Sequence, residues 1–197
     1  MEIRLLTDEE LTRIYREHLV PAFPEAELRP LHAMQDMARQ GIYRTYGLTE
    51  GTEILGEAFL WDCAPGWKLF DCLCVAPDRR GGGLGAALIK ALVEAERGSV
   101  IFGESEVPAY APDPDMARRR LDFYRRNGAR QADYMAAVFG VPYHTLYLAE
   151  DQVDETAMMA AHRQAYRSRL SERAYQRFIH IPWDPSMGMP EKHPWEE

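Results

Sequence analysis

Arg80-Gly81-Gly82-Gly83-Leu84-Gly85, in the middle of the chain, has the composition of an anion cradle. Glycines reach positive φ and let a phosphate come close to the backbone. Arg80 adds a positive charge. The residues that follow, Ala86 to Arg97, predict a helix with Leu88, Ile89, Leu92 and Val93 on one stripe. The N–H groups of a helix N-terminus, together with its dipole, favour an anion in front of them. A Walker A loop would end in Lys-Ser or Lys-Thr, which is absent here. A dinucleotide fingerprint would follow the first strand, whereas this turn lies mid-chain.

Three of the carboxylates on predicted strands are candidates for acid–base work. Phe102, Glu104 and Glu106 alternate, so they share one face of a strand over 99–107. Carboxylates at the C-terminal end of a strand in an α/β sheet lie where ligands usually bind. They would deprotonate an ammonium or hold it, the alternative being a solvated strand end. Asp71 is the weaker candidate, in a strand whose apolar character suggests cover on both sides. His144 is expected on a strand surface, and Tyr124, from helical spacing alone, is a packing aromatic. Cys63, Cys72 and Cys74 are expected to be reduced, with the last two buried in a strand. No second Cys/His cluster completes a metal site, so no metal is expected.

The elements that must position these groups follow from periodicity and turn chemistry. Residues 1–7 predict a strand, with Asp8 as N-cap of a helix over 9–20 that Pro21 and Pro24 end. A second helix is predicted over 28–40, with Gly41 as its stop. Strands are predicted at 42–48 and 53–62 across a hairpin turn at 50–52, and at 67–75 after Ala64-Pro65-Gly66. After the strand at 99–107 come a loop over 109–115, a helix over 116–126 stopped by Asn127-Gly128, and strands at 134–139 and 143–149. The strand–helix–strand unit over 67–107 should be a right-handed parallel crossover, with the other strands mostly antiparallel. The fold class is therefore one mixed, mostly antiparallel α/β sheet with a central parallel strand pair flanked by helices. Residues 1–150 are expected to form the domain. A helix over 156–178 and an irregular tail make up 151–197. Met158, Met159, His162, Ala165, Tyr166 and Leu170 form a stripe that would pack on the domain or, in a homodimer, on a second copy.

Composition narrows the function. The 197 residues are 46% hydrophobic and 27% charged, with a net charge of −8. That balance disfavours a nucleic-acid partner, whose binding rests on phosphate neutralisation, and suits a cationic amine. No stretch approaches the roughly 20 apolar residues of a membrane helix. The N-terminus shows no basic-then-apolar signal pattern, so a cytoplasmic protein is expected.

Val75-x-Pro77-x-x-Arg80-Gly81-x-Gly83-Leu84-Gly85 resembles the acyl-CoA signature of the GNAT N-acetyltransferases, Q/R-x-x-G-x-G/A after a V-x-P strand end. Farther on, Phe123-Tyr124-Arg125-Arg126-Asn127-Gly128-Ala129 is similar to the family's F-Y-x-x-x-G-F element, with Ala129 where an aromatic is usual. The resemblance implies acetyl-CoA as co-substrate, held by Leu73, Cys74 and Val75 and by Arg80, Gly81, Gly82, Gly83, Leu84, Gly85 and Ala86. It implies direct transfer of the acetyl group to a primary amine of a small molecule in a ternary complex. A backbone N–H on the strand ending at Val75 would stabilise the oxyanion. Tyr124 would protonate the departing thiolate, and Glu104 or Glu106 would serve as base. The other reading is a module of the same fold that binds acyl-CoA as a sensor without turnover.

Overall fold

Residues 1–23 and 28–192 are described by a computed structural model, and their contacts gather into two units. The first comprises residues 1–62 and 70–97. It begins with β1 (Glu2–Leu5) and α1 (Asp8–Ile14). Thr7, rather than the expected Asp8, is the N-cap. Its hydroxyl accepts the Glu10 N–H at 3.2 Å while its own N–H donates to Glu10 Oε2 at 2.9 Å, a reciprocal capping box. The helix then widens into a π-helical turn, Tyr15–Leu19, in which the Val20 N–H reaches back to the Tyr15 carbonyl. It ends as α2 (Val20–Ala22). Pro21 does not end the helix as expected, because it falls in the first turn of α2, where a missing N–H leaves no bond unmade. The expected stop at Pro24 lies outside the described residues.

α3 (Leu31–Arg39) starts later than expected, behind Pro30, since a residue preceding proline is driven out of helical geometry. Gly41 closes it as expected, at φ 73°. β2 (Tyr43–Glu50) and β3 (Glu53–Ala64) form an antiparallel hairpin, and β1 pairs with β2. β4 (Trp67–Val75) and α4 (Leu84–Ala95) follow, on either side of the glycine turn. Leu11, Ile14, Leu19, Met34, Phe59 and Leu88 form the dry centre of this unit.

The second unit takes in residues 63–69 and the described residues from 98 onward. β5 (Val100–Glu106) leads to α5 (Pro114–Arg126). The helix begins inside the expected loop because the Asp113 carboxylate accepts the N–H groups of Asp115 and Met116. β6 (Arg130–Val138) and β7 (Val141–Leu148) are antiparallel, joined at Phe139-Gly140. The helix expected over 156–178 is two: α6 (Glu155–Arg167) and α7 (Glu172–Phe178), the second capped by Ser171. The expected irregular tail contains β8 (Ile179–Trp183), antiparallel to β6. The stripe of α6 is covered within this unit, with Met158, Ala161, His162, Ala165 and Tyr166 buried.

The strand order is β1-β2-β3-β4-β5-β7-β6-β8 in one open, mostly antiparallel sheet whose parallel pair is β4–β5. The expected fold class is the observed one. No helix among the described residues is long and apolar enough to cross a membrane.

Candidate functional site

β4 carries Leu73, Cys74 and Val75 to the start of the glycine turn. Leu73 and Val75 are half-buried. Cys74 is buried, with its thiol 3.6 Å from the His18 carbonyl, and burial with nearby Glu57 pushes that thiol up to about 12. Cys74 therefore offers a ligand its backbone, not a thiolate. A short 3₁₀ turn, Pro77–Arg79, follows, tied down by the Arg79–Glu53 ion pair at 2.6 Å. Arg80 is exposed, its Nε 3.5 Å from the Val75 carbonyl.

Gly81 and Gly83 adopt φ of 85° and 77°, which side chains with a Cβ rarely reach. Gly83 is the N-cap of α4, and no side chain caps that helix. The first helical bond is Ala87 N–H to Gly83 O, at 3.1 Å. The helix thus starts at Leu84, two residues before the expected Ala86. This makes Leu84, Gly85 and Ala86 the first-turn residues whose N–H groups point off the helix end. A Cβ built on Gly81 or Gly83 would meet nothing within 4 Å, and one on Gly82 only the Arg79 carbonyl at 3.8 Å. Open space, outward N–H groups, a helix dipole and an arginine together fit the pyrophosphate of coenzyme A.

In the second unit, β5 turns Glu104 and Glu106 to the same face as the fully buried Phe102. Both acids are engaged. Glu104 Oε1 lies 2.8 Å from His162 Nε2, and both its oxygens accept the Tyr166 hydroxyl at 3.0 Å. Glu106 pairs with Arg120 at 2.9 Å. Tyr124 is half-buried in the last turns of α5, edge-on to the Phe123 ring at 5.3 Å. The Asn127 amide bonds the Phe123 carbonyl, and Ala129 N–H bonds the Tyr124 carbonyl, so the end of the helix is pinned around that ring. His144 is half-buried on β7, 3.3 Å from Gln131, and burial with the charge of Arg125 lowers its affinity for a proton.

Asp71 is not available as a base. Arg29 grips it through Nε at 3.1 Å and Nη2 at 2.9 Å, and the Tyr43 hydroxyl donates to it as well. Burial alone would raise this carboxyl, but the arginine and Tyr43 hold it below its ordinary value. Two features of the first unit carried no sequence signal. Glu57, fully buried on β3, pairs at 3.0 Å with His18 of the π turn. His18 in turn lines a cavity of about 220 Å³ with Arg13, Glu17, Glu53 and Asp78. In the second unit, the sequence places His162 and Tyr166 on a packing stripe and does not mark them as site residues. Their spacing of four on a buried stripe places both on one face of α6, and a buried histidine requires a partner. Among the described residues no cluster of three His, Cys, Asp or Glu could hold a metal ion.

Residues 41–128 match the model of a family described as the acetyltransferase (GNAT) domain. No curated protein matches the sequence. Among solved structures, a protein assigned to the GNAT acetyltransferases from Bacteroides thetaiotaomicron is similar at 20% identity and TM-score 0.68, over 85% of this chain and 98% of that one. The ribosomal-protein-S18-alanine N-acetyltransferase of Escherichia coli aligns at 17% identity and TM-score 0.57, over 78% and 96% of the two chains. A Salmonella typhimurium protein solved with acetyl-CoA aligns at 19% identity and TM-score 0.57, over 78% and 95%. At such identities the likeness is one of fold.

Proposed function

We propose that the chain, whose residues 41–128 match the GNAT acetyltransferase domain, transfers the acetyl group of acetyl-CoA to a primary amine of a small molecule. The observation that carries this reading is the uncapped α4 N-terminus behind Gly81 and Gly83. Acetyl-CoA supplies an activated thioester. The turn and Arg80 take its pyrophosphate, fixing the position of the acetyl end. A backbone N–H at the end of β4 supports the charge that develops on the thioester oxygen. Tyr124 gives its proton to the thiolate, a transfer a phenol of pKa ~10 can make. Glu104 accepts the proton of the incoming ammonium. The net charge of −8 favours a cationic acceptor. Cys63, Cys72 and Cys74 form no disulfide, in keeping with a reducing compartment such as the cytoplasm.

A second reading, an acyl-CoA-binding module without turnover, draws support from the engagement of both strand carboxylates. Tyr124→Phe separates the two. The transferase reading expects kcat for thiol release to fall at least about tenfold with the acetyl-CoA KM unchanged. A variant that turns over like the wild type removes Tyr124 from the chemistry.

A further inference from the structure

Glu104 ends in a chain of aromatic and imidazole groups supplied mostly from beyond residue 128. His162 is fully buried, and its Nδ1 lies 3.3 Å from the Tyr134 hydroxyl, while its Nε2 lies 2.8 Å from Glu104. The Phe102, Tyr134 and Tyr166 rings surround the imidazole at centroid distances of 5.2, 6.1 and 5.9 Å. Burial pushes the Tyr134 phenol up, so this hydroxyl keeps its proton. One arrangement of donors serves these groups with a neutral imidazole and an acceptor carboxylate. Tyr134 O–H donates to Nδ1, Nε2–H donates to Glu104 Oε1, and Tyr166 O–H donates to the same carboxylate. Glu104 itself keeps a partly exposed side chain, at 16%.

We infer that His162 is a positioning residue for Glu104, a role that rests on the acetyl-transfer reading above. The Glu104 carboxylate, as acceptor, holds the imidazole in the Nε2–H tautomer, and the Tyr134 hydroxyl donates to Nδ1. His162 and Tyr166 then fix the carboxylate, leaving one outer lone pair free to receive the proton of the acceptor ammonium. In that step an N–H bond of the ammonium breaks, an O–H bond forms on Glu104, and the amine nitrogen is left with its lone pair. Other charges bear on the chain. Glu155 and Arg163 of α6 act on Tyr134, with Glu155 bonded to the Asp133 N–H and Arg163 to the Ile181 carbonyl. From α7, Tyr175 faces Arg163 and Arg167, and β8 brings His180, whose buried Nδ1 has no hydrogen-bond partner among the described residues.

Two measurements on the full chain test this. Long-range ¹H–¹⁵N correlation at neutral pH should show His162 as the Nε2–H tautomer. A wild-type imidazolium, or the Nδ1–H tautomer, overturns the inference without reference to turnover. In kinetics, His162→Gln keeps an amide donor near the Nε2 position and should stay within about threefold of wild-type kcat, whereas His162→Leu should lose at least about tenfold with the acetyl-CoA KM unchanged. Wild-type kcat in His162→Leu overturns the inference. Absence of turnover in the wild type overturns the transferase reading instead, and leaves the tautomer measurement to decide the hydrogen-bond chain.

Discussion

At positions 81 and 83 the backbone itself demands glycine, with φ of 85° and 77°; at 82 it does not. Gly82 has no left-handed φ, and an added Cβ would meet only an ordinary contact at 3.8 Å. Gly82→Ala should therefore leave Tm unchanged to within about 1 °C, since surface changes away from special features stay within about 0.5 kcal/mol. It should nonetheless raise the acetyl-CoA KM, because the methyl group occupies the space a phosphate needs. Arg80→Glu should raise that KM at least about tenfold, by placing a negative charge beside the bound anion. Steady-state kinetics and a thermal melt check both, and an unchanged KM in the two variants would contradict the cradle. This turn was legible in the sequence because its chemistry is local: three glycines, one arginine and a helix are consecutive in the chain. The partners of Glu104 were not legible. They come from β6 and α6, and nothing local in Tyr134, His162 or Tyr166 says which strand they will meet.

The elements show the same division. β4 could be read as a covered strand from its apolar run, yet the reason it tolerates Asp71 lies in Arg29, 42 residues away. That arginine also lies over the Trp61 and Tyr43 rings, at 5.1 and 5.8 Å. Arg29→Met should cost about 3–5 kcal/mol in urea unfolding, because it strands a buried carboxylate. Arg29→Met combined with Asp71→Leu should recover much of the loss, and a single variant as stable as the wild type would show that the pair is immaterial. The boundaries that moved did so through capping. Thr7, Asp113 and Ser171 each start a helix by accepting backbone N–H groups, and Pro30 delays one. β8 was not legible because Ile179–Trp183 contains Pro182 and is followed by further prolines, a composition that reads as loop until an edge strand is there to pair with it.

For the molecule as a whole, ionisable groups set the pH range of stability. His18 is raised by its hydrogen bond to Glu57, and burial raises Glu57. Groups with raised folded values contribute stability that is complete below their unfolded values and is lost as pH rises through the folded ones. Asp71 is held low, and Glu10, bonded to Arg4, is lowered to about 2; their contribution is present above the unfolded carboxylate values and is lost as pH falls through the folded ones. Tm should therefore decline on the alkaline side as His18 loses its proton above its ordinary value of 6.5, and on the acid side below the carboxylate range. His18→Gln should flatten the alkaline decline, and a Tm independent of pH from 6 to 9 in the wild type would count against the pair. The most direct test of the account as a whole is incubation of the purified protein with acetyl-CoA and a panel of primary amines, measuring free thiol and acetylated product together. The account predicts one thiol released per acetyl group found on an amine. Tight coenzyme A binding with neither thiol nor acetylated amine formed would contradict it.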